Sequence, residues 1–304
     1  MPSCVSADGS ATVYDLVHTT RYTYSERVSV SHHVARLTPR MLPHQHALEH
    51  ALAIDPLPAV QATHIDYFGN VMTFFATQGP HTGLSVSARS RVSVTAPELP
   101  VPSETPPWDQ VTSRDLPLEA LELTFDPLPA RVLADVCAYA RPSFAPGRPL
   151  LEAVIDLTAR IHHDFTFDPH ATTVTTPVAD FFRTRRGVCQ DFARLGLACV
   201  RSLGLAAHYV SGYLETIPPP GKPRQIGADA SHAWLGVYCP GHGWIDVDPT
   251  NNLLPSTTHV TLAWGRDYAD VSPVRGVILG GGEHSLDVSV SLVRAETPVS
   301  STSE

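Results

Sequence analysis

GVCQDFARLGLACVRSLG, residues 187–204, decides how the rest of the chain is read. Its apolar side chains at Phe192, Leu195, Cys199, Val200 and Leu203 recur at the spacing of one face of an α-helix. The pattern predicts a helix from about Cys189 to Leu203, with Gly204 as the left-handed residue that closes it. Cys189 then stands at the helix mouth, where the partial positive charge of the N-terminus favours a thiolate, the nucleophilic form of the side chain. Arg185 and Arg186 push the same way, and Gly187 allows an unusual backbone conformation at the turn into the helix. Taken alone, a cysteine on a helix is more often a small buried hydrophobe. Its partners must decide.

A thiol nucleophile needs a base to take its proton and a further group to orient that base. DASHAWLGVY (229–238) opens a strand with His232, and WIDVDPTN (244–251) follows it. If the two pair as a hairpin about Pro240-Gly241-His242-Gly243, register counting brings His232 opposite Asp248–Asn251. Asp248 would then accept from the distal imidazole nitrogen, fix its tautomer and stabilise the imidazolium. Asp246 is read as facing the other side of the strand, which makes it the weaker candidate. Trp234 shares a side with His232 and is either a wall of the acyl pocket or part of the core.

The order of a cysteine, a histidine opening a strand and an aspartate before Pro-Thr resembles the transglutaminase-like superfamily, with the papain-like thiol fold of bacterial transglutaminase homologues. GVCQDFARLGLACVRSLGLAAHYVSGY (187–213) is similar to its nucleophile helix and following strand, and DASHAWLGVYCPGHGWIDVDPTNN (229–252) to its His and Asp strands. YDLVHTTRYTY (14–24) and DYFGN (66–70) resemble the β-rich domain that precedes many bacterial members, and GRDYADVSPVRGVILGGGEHSLDVSV (265–290) their usual C-terminal segment. The resemblance implies Cys189 as nucleophile, His232 as base and Asp248 as orienting acid. It also implies attack on a carboxamide or peptide carbonyl through a thioester, resolved by water (amidase or peptidase) or by an amine (transglutaminase). His208 stands where relatives often carry arginine. The N–H of Cys189 supplies one oxyanion donor; a second, such as a Gln or Trp side chain, is not identifiable from sequence.

The expected fold class is α+β: an N-terminal antiparallel β-sandwich followed by a papain-like transglutaminase core. Alternation over Val13–Tyr24, at Leu48, His50, Leu52 and Ile54, over Val71–Thr77 and from Leu84 to Val94 predicts strands, with a hairpin turn at Phe68-Gly69-Asn70. The boundaries follow as a β domain over 11–97, a Pro-rich linker over 98–115, a core with C-terminal strands over 116–295 and a loose tail over 296–304. Within the core, helices are expected at Pro129–Tyr139 and Pro149–Phe165, then strands at Ala207–Glu215, Ala233–Tyr238 and Trp244–Asp248, with a loop over 217–227. Gly276–Leu279 and Leu286–Leu292 read as a strand pair joined by the turn Gly280-Gly281-Gly282.

Composition narrows the function. The 304 residues carry 21 basic and 30 acidic groups, a net charge of −9, which argues against nucleic-acid and anionic-membrane partners. The five cysteines show no CxxC pair, the histidines no HExxH, and no acidic loop has EF-hand spacing. No metal or cofactor is therefore expected; the expected partner is a peptide or protein amide substrate. No basic and apolar leader opens the chain, and no run approaches the ~18 apolar residues of a membrane span, so a reducing cytoplasm is the expected setting. Two alternatives remain. A catalytically silent peptide-binding module could retain the fold. A redox sensor would need a resolving thiol near Cys189, and Cys199 lies about 15 Å along the same helix, beyond disulfide reach.

Overall fold

The computed structural model describes residues 11–216 and 231–295. The loop expected over 217–227 and the tail expected over 296–304 lie outside the described residues. The N-terminal region is antiparallel throughout, as its alternating pattern requires. Strand β1 (Thr12–Ala35) runs beside β4 (Val71–Val94) over nearly its whole length, and β2 (Gln45–Asp55) and β3 (Val60–Ile65) pair with the second and first halves of β4. The two predicted strands over 71–94 are thus one. Both long strands are broken by register shifts around Thr23–Val30 of β1, so each half of the sheet buries a row of side chains: Tyr14, Leu16, His18 and Thr20 in one, Ser31, His33 and Ala35 in the other. The predicted turn after β3 is present. Asp66 Oδ1 accepts from the Phe68 and Asn70 N–H groups, and Gly69 takes φ 76°, which favours glycine.

The last two strands depart from expectation. β11 (Val274–Gly280) and β12 (His284–Arg294) do not fold back on each other through the glycines. They lie end to end along the free edge of β1, β11 against Val28–Ala35 and β12 against Tyr14–Tyr24. Gly280 and Gly281 take φ 92° and 95° where β1 itself is irregular, so the incoming chain jogs in step with its partner. The driving force is burial of Val290 and Leu292 together with hydrogen bonding of an otherwise open edge. Residues that follow the core in sequence thereby complete the first sheet.

Between the two lies the helical core. The short helix α1 (Leu118–Leu121) is followed by α2 (Ala130–Ala140), α3 (Leu150–Asp164), α4 (Val178–Thr184) and α5 (Cys189–Ser202). Their apolar faces, including Val136, Val154, Ile161, Phe181 and Phe192, form one hydrophobic cluster with the sheet behind them. A two-stranded parallel link, β5 (Thr166–Phe167) with β6 (Arg186–Gly187), sets the entry to α5. The antiparallel core sheet is ordered β10-β7-β8-β9, from β7 (Ala207–Leu214), β8 (Ser231–Cys239), β9 (Gly243–Val247) and β10 (His259–Gly265); a single turn, α6 (Tyr268–Val271), follows. Gly196 of α5 brings the helix close enough that an added Cβ would meet Leu235 at 3.0 Å.

His18 ties the first sheet to the core. It is buried, with Nδ1 2.8 Å from the Tyr213 hydroxyl and Nε2 2.9 Å from Thr20 Oγ1. Burial lowers its pKa to about 4. The folded protein therefore binds this proton less readily than the unfolded chain, and stability falls as pH drops from about 6.5 towards 4. The expected loss at full protonation is on the order of 3 kcal/mol. Urea unfolding at pH 7 and 4.5 checks this, with His18→Gln as comparison. A midpoint that moves no more in the parent than in the variant would show that His18 does not link the two sheets.

Candidate active site

The N-terminus of α5 is built by close approach. An added Cβ at Gly187 would stand 2.5 Å from Asp191 Oδ2 and 2.7 Å from Phe181, so the position needs the absence of a side chain. This corrects the expectation that Gly187 supplies an unusual backbone conformation. The left-handed residue in the turn is Arg185, at φ 57°. Asp191, 2% exposed, accepts from the Val188 N–H at 2.9 Å and the Thr172 hydroxyl at 2.6 Å, which fixes the first turn and leaves partly exposed Cys189 as its first residue. The two upstream arginines are engaged elsewhere. Arg186 pairs with Asp168 at 2.7 Å, and Arg185 lies over the Phe165 ring beside Asp164. The helix end is left as the local source of positive potential.

Pairing of β8 with β9 matches Leu235 with Val247 and Cys239 with Gly243, the register counted from the sequence. It carries His232 Nε2 to 2.7 Å from Asp248 Oδ2. Asp248 is completely buried. Its Oδ1 accepts from the Thr250 and Asn251 N–H groups at 2.9 and 3.2 Å, and Oδ2 also faces Asn251 Nδ2 at 2.7 Å and His259 Nε2 at 3.3 Å. Burial alone would raise its pKa. The hydrogen bonds from His232 and His259 outweigh it and hold the carboxyl well below its usual range. Burial likewise opposes protonation of His232, yet hydrogen bonds to Asp248 and to the Cys189 sulfur, with the charges on both, raise its pKa to about 10. With Nε2 occupied by Asp248, Nδ1 is the nitrogen left for the thiol. All three predicted residues are thus brought together.

His259 and Asn251 complete the cluster, and neither is identified from the sequence. Asn251 stands in the quoted Asp-Pro-Thr-Asn run, but nothing in the sequence near His259 points to it. The two imidazoles and the carboxylate have the spacing of a metal site, with ligand atoms within 4.8 Å of one another, yet those atoms are hydrogen-bonded among themselves. Asp246 does not face away from Asp248. Residues two apart share a side of a strand, and Asp246 Oδ2 accepts from Trp234 Nε1 at 2.8 Å, behind the histidine. His208 lies between the Trp244 and Trp264 rings, 4.0 and 5.0 Å from their centroids, as a packed part of the wall.

Cys189 and His232 open into a cavity of about 240 Å³. Tyr209 and Tyr268 of the core line it, together with Thr20 and Tyr22 of β1 and Val288 of β12. The first sheet is therefore a wall of the site, and among the described residues the lining carries no lysine, arginine or carboxylate. No helix among the described residues is long and apolar enough to cross a membrane.

The sequence and the fold both have counterparts among known proteins. Residues 14–93 match the bacterial transglutaminase-like N-terminal region, and residues 138–249 match the transglutaminase-like superfamily. An uncharacterized protein of Mycobacterium tuberculosis is 43% identical, over 96% of this chain and 98% of its own length. A protein-glutamine gamma-glutamyltransferase of Pseudomonas aeruginosa is 32% identical over 48% of this chain and 23% of its own. Among solved structures, a protein of Cytophaga hutchinsonii described as a candidate cysteine protease shares the fold, with a TM-score of 0.73 over 96% of this chain and 93% of that one, at 22% identity.

Proposed function

The chain belongs to the transglutaminase-like superfamily, and from that premise we propose that it is a cysteine-dependent acyl-transfer enzyme acting on carboxamide or peptide carbonyls. The observation that carries the proposal is the 2.7 Å contact between His232 and a wholly buried Asp248, with the same imidazole hydrogen-bonded to a cysteine at a helix N-terminus. In this reading the Cys189 sulfur attacks the carbonyl carbon and the carbonyl π pair moves onto oxygen. Collapse of that adduct breaks the C–N bond, and His232 gives its proton to the departing amine, leaving a thioester. Water or a second amine then attacks the thioester, and His232 takes that nucleophile's proton as the thiolate leaves. Asp248 holds the imidazole in one tautomer throughout and stabilises its charged form. A peptide or protein amide is the substrate class, supported by the pairing of a thiol with an imidazole and a carboxylate, the set that attacks such carbonyls. A reducing, cytoplasmic setting is part of the same proposal, because the nucleophile must stay a reduced thiol to act.

The test is trapping. The protein is incubated with Gln- and Asn-containing peptides, with and without a primary amine, and Cys189 is searched by mass spectrometry for an acyl adduct. The expected result is release of ammonia as an acyl adduct forms on Cys189, followed by loss of that adduct when water or the added amine attacks it. Incorporation of the amine marks a transferase, and release without incorporation a hydrolase. Adducts spread over all thiols, or none, would contradict the proposal.

A further inference from the structure

The tetrahedral intermediate of acyl transfer carries a negative oxygen, and two convergent donors are the usual means of holding it. The Cys189 N–H, at the first position of α5, is one. A Gln or Trp side chain is the type expected for the second, but the two near the site are already engaged: Gln190 Nε2 donates to the Val174 carbonyl at 3.0 Å, and Trp234 Nε1 to Asp246 at 2.8 Å. A different side chain is free. Tyr209 of β7 is 1% exposed and lines the cavity beside Cys189, and its hydroxyl has no hydrogen-bond partner among the described residues. Tyr14 and Tyr213 are equally buried, and each directs its hydroxyl to a partner, Glu215 and His18 respectively. Tyr22 and Tyr268 also line the cavity but are partly exposed, so their rings are less firmly held. The Tyr209 ring is packed while its hydroxyl opens on the cavity, so the group is held in place and left available to a ligand there.

We propose that the Tyr209 hydroxyl is the second oxyanion donor, completing with the Cys189 N–H the site into which the substrate carbonyl oxygen moves. The inference rests on the acyl-transfer reading above. As the Cys189 sulfur bonds to the carbonyl carbon, the carbonyl π pair moves onto oxygen, and Tyr209 O–H donates a hydrogen bond to it. When the C–N bond breaks, with the leaving amine taking its proton from His232, the pair returns to re-form the carbonyl and the phenol keeps its own proton. Burial raises the Tyr209 pKa well above its ordinary value, and negative charge at Cys189 adds to it, so the phenol stays protonated and able to donate throughout the working pH range.

Two reagents separate this role from a structural one. Iodoacetamide alkylates Cys189 by displacement at a saturated carbon with no oxyanion, whereas p-nitrophenyl acetate acylates it through a tetrahedral one. Tyr209→Phe keeps the ring and removes only the hydroxyl. The expected result is an unchanged alkylation rate, with acylation slowed on the order of 10²–10³-fold. Equal slowing of both reactions would make Tyr209 a residue that merely positions the thiol and base, and no slowing of either would exclude it; both outcomes overturn the proposal. Failure of the unsubstituted protein to form any acyl-enzyme would instead overturn the acyl-transfer reading, and this inference with it.

Discussion

Cys189→Ala is expected to abolish turnover of every amide and ester substrate while leaving the thermal midpoint within a few degrees. The two halves of the expectation have separate causes. Without sulfur no thioester forms, and neither His232 nor Asp248 can substitute as nucleophile in that position. Stability is preserved because Cys189 is partly exposed at the first position of α5, while the turn is fixed by Asp191, Thr172 and the packing of Gly187 on Phe181. A loss of ~1 kcal/mol would move the midpoint of a chain this size by only about 2–4 °C. Calorimetry beside an activity assay reads both. A midpoint lowered by well over 10 °C would mean the thiol is a packing group.

Asp248→Asn is expected to lower turnover about 10⁴-fold, because the amide that replaces the carboxylate no longer selects the tautomer or stabilises the imidazolium. Here stability also falls, in contrast to the cysteine variant. The carboxylate oxygens face five donors, from His232, His259, the Asn251 side chain and the N–H groups of Thr250 and Asn251, and an amide brings an N–H against some of them. The pH dependence follows from the shifts. His232, raised from 6.5 to about 10, contributes stability that is complete below about pH 6.5 and lost as pH rises through about 10. Asp248, held below its usual range, contributes stability present above about pH 4 and lost on acidification. The parent is therefore stabilised by this pair across roughly pH 4 to 10, and the variant loses the excess within that window. Parallel stability–pH curves for parent and variant would mean the two side chains are not coupled.

The residues that proved legible share one property: their placement depends on local periodicity. The apolar row Phe192, Leu195, Cys199, Val200 and Leu203 places α5 at Cys189–Ser202 with Cys189 first. Alternation on either side of the turn at Gly241 and Gly243, which take φ 83° and 80°, sets the β8–β9 register and with it the His232–Asp248 contact. What was not legible depends on pairing between distant segments. His259 reaches Asp248 only because β10 runs beside β7, and no pattern near residue 259 announces that. β12 joins β1 across more than 250 positions, so Thr20, Tyr22 and Val288 become cavity wall through a contact no window of sequence contains. The misreading of Asp246 is of another kind. It lies two residues from Asp248 and hence on the same side of the chain, where the Trp234 indole occupies it.

The central claim is that one thiol is activated by one imidazole. The other described cysteines provide the comparison: burial pushes the Cys199 thiol far up and that of Cys239 up to about 11, and Cys137 is partly exposed like Cys189 but remote from His232. Limiting iodoacetamide at pH 7, followed by peptide mapping of the parent and of His232→Ala, measures the claim directly. The account predicts that Cys189 is labelled well ahead of Cys137 in the parent and that this lead vanishes in the variant. Labelling of Cys189 and Cys137 at equal rates in both proteins would contradict it.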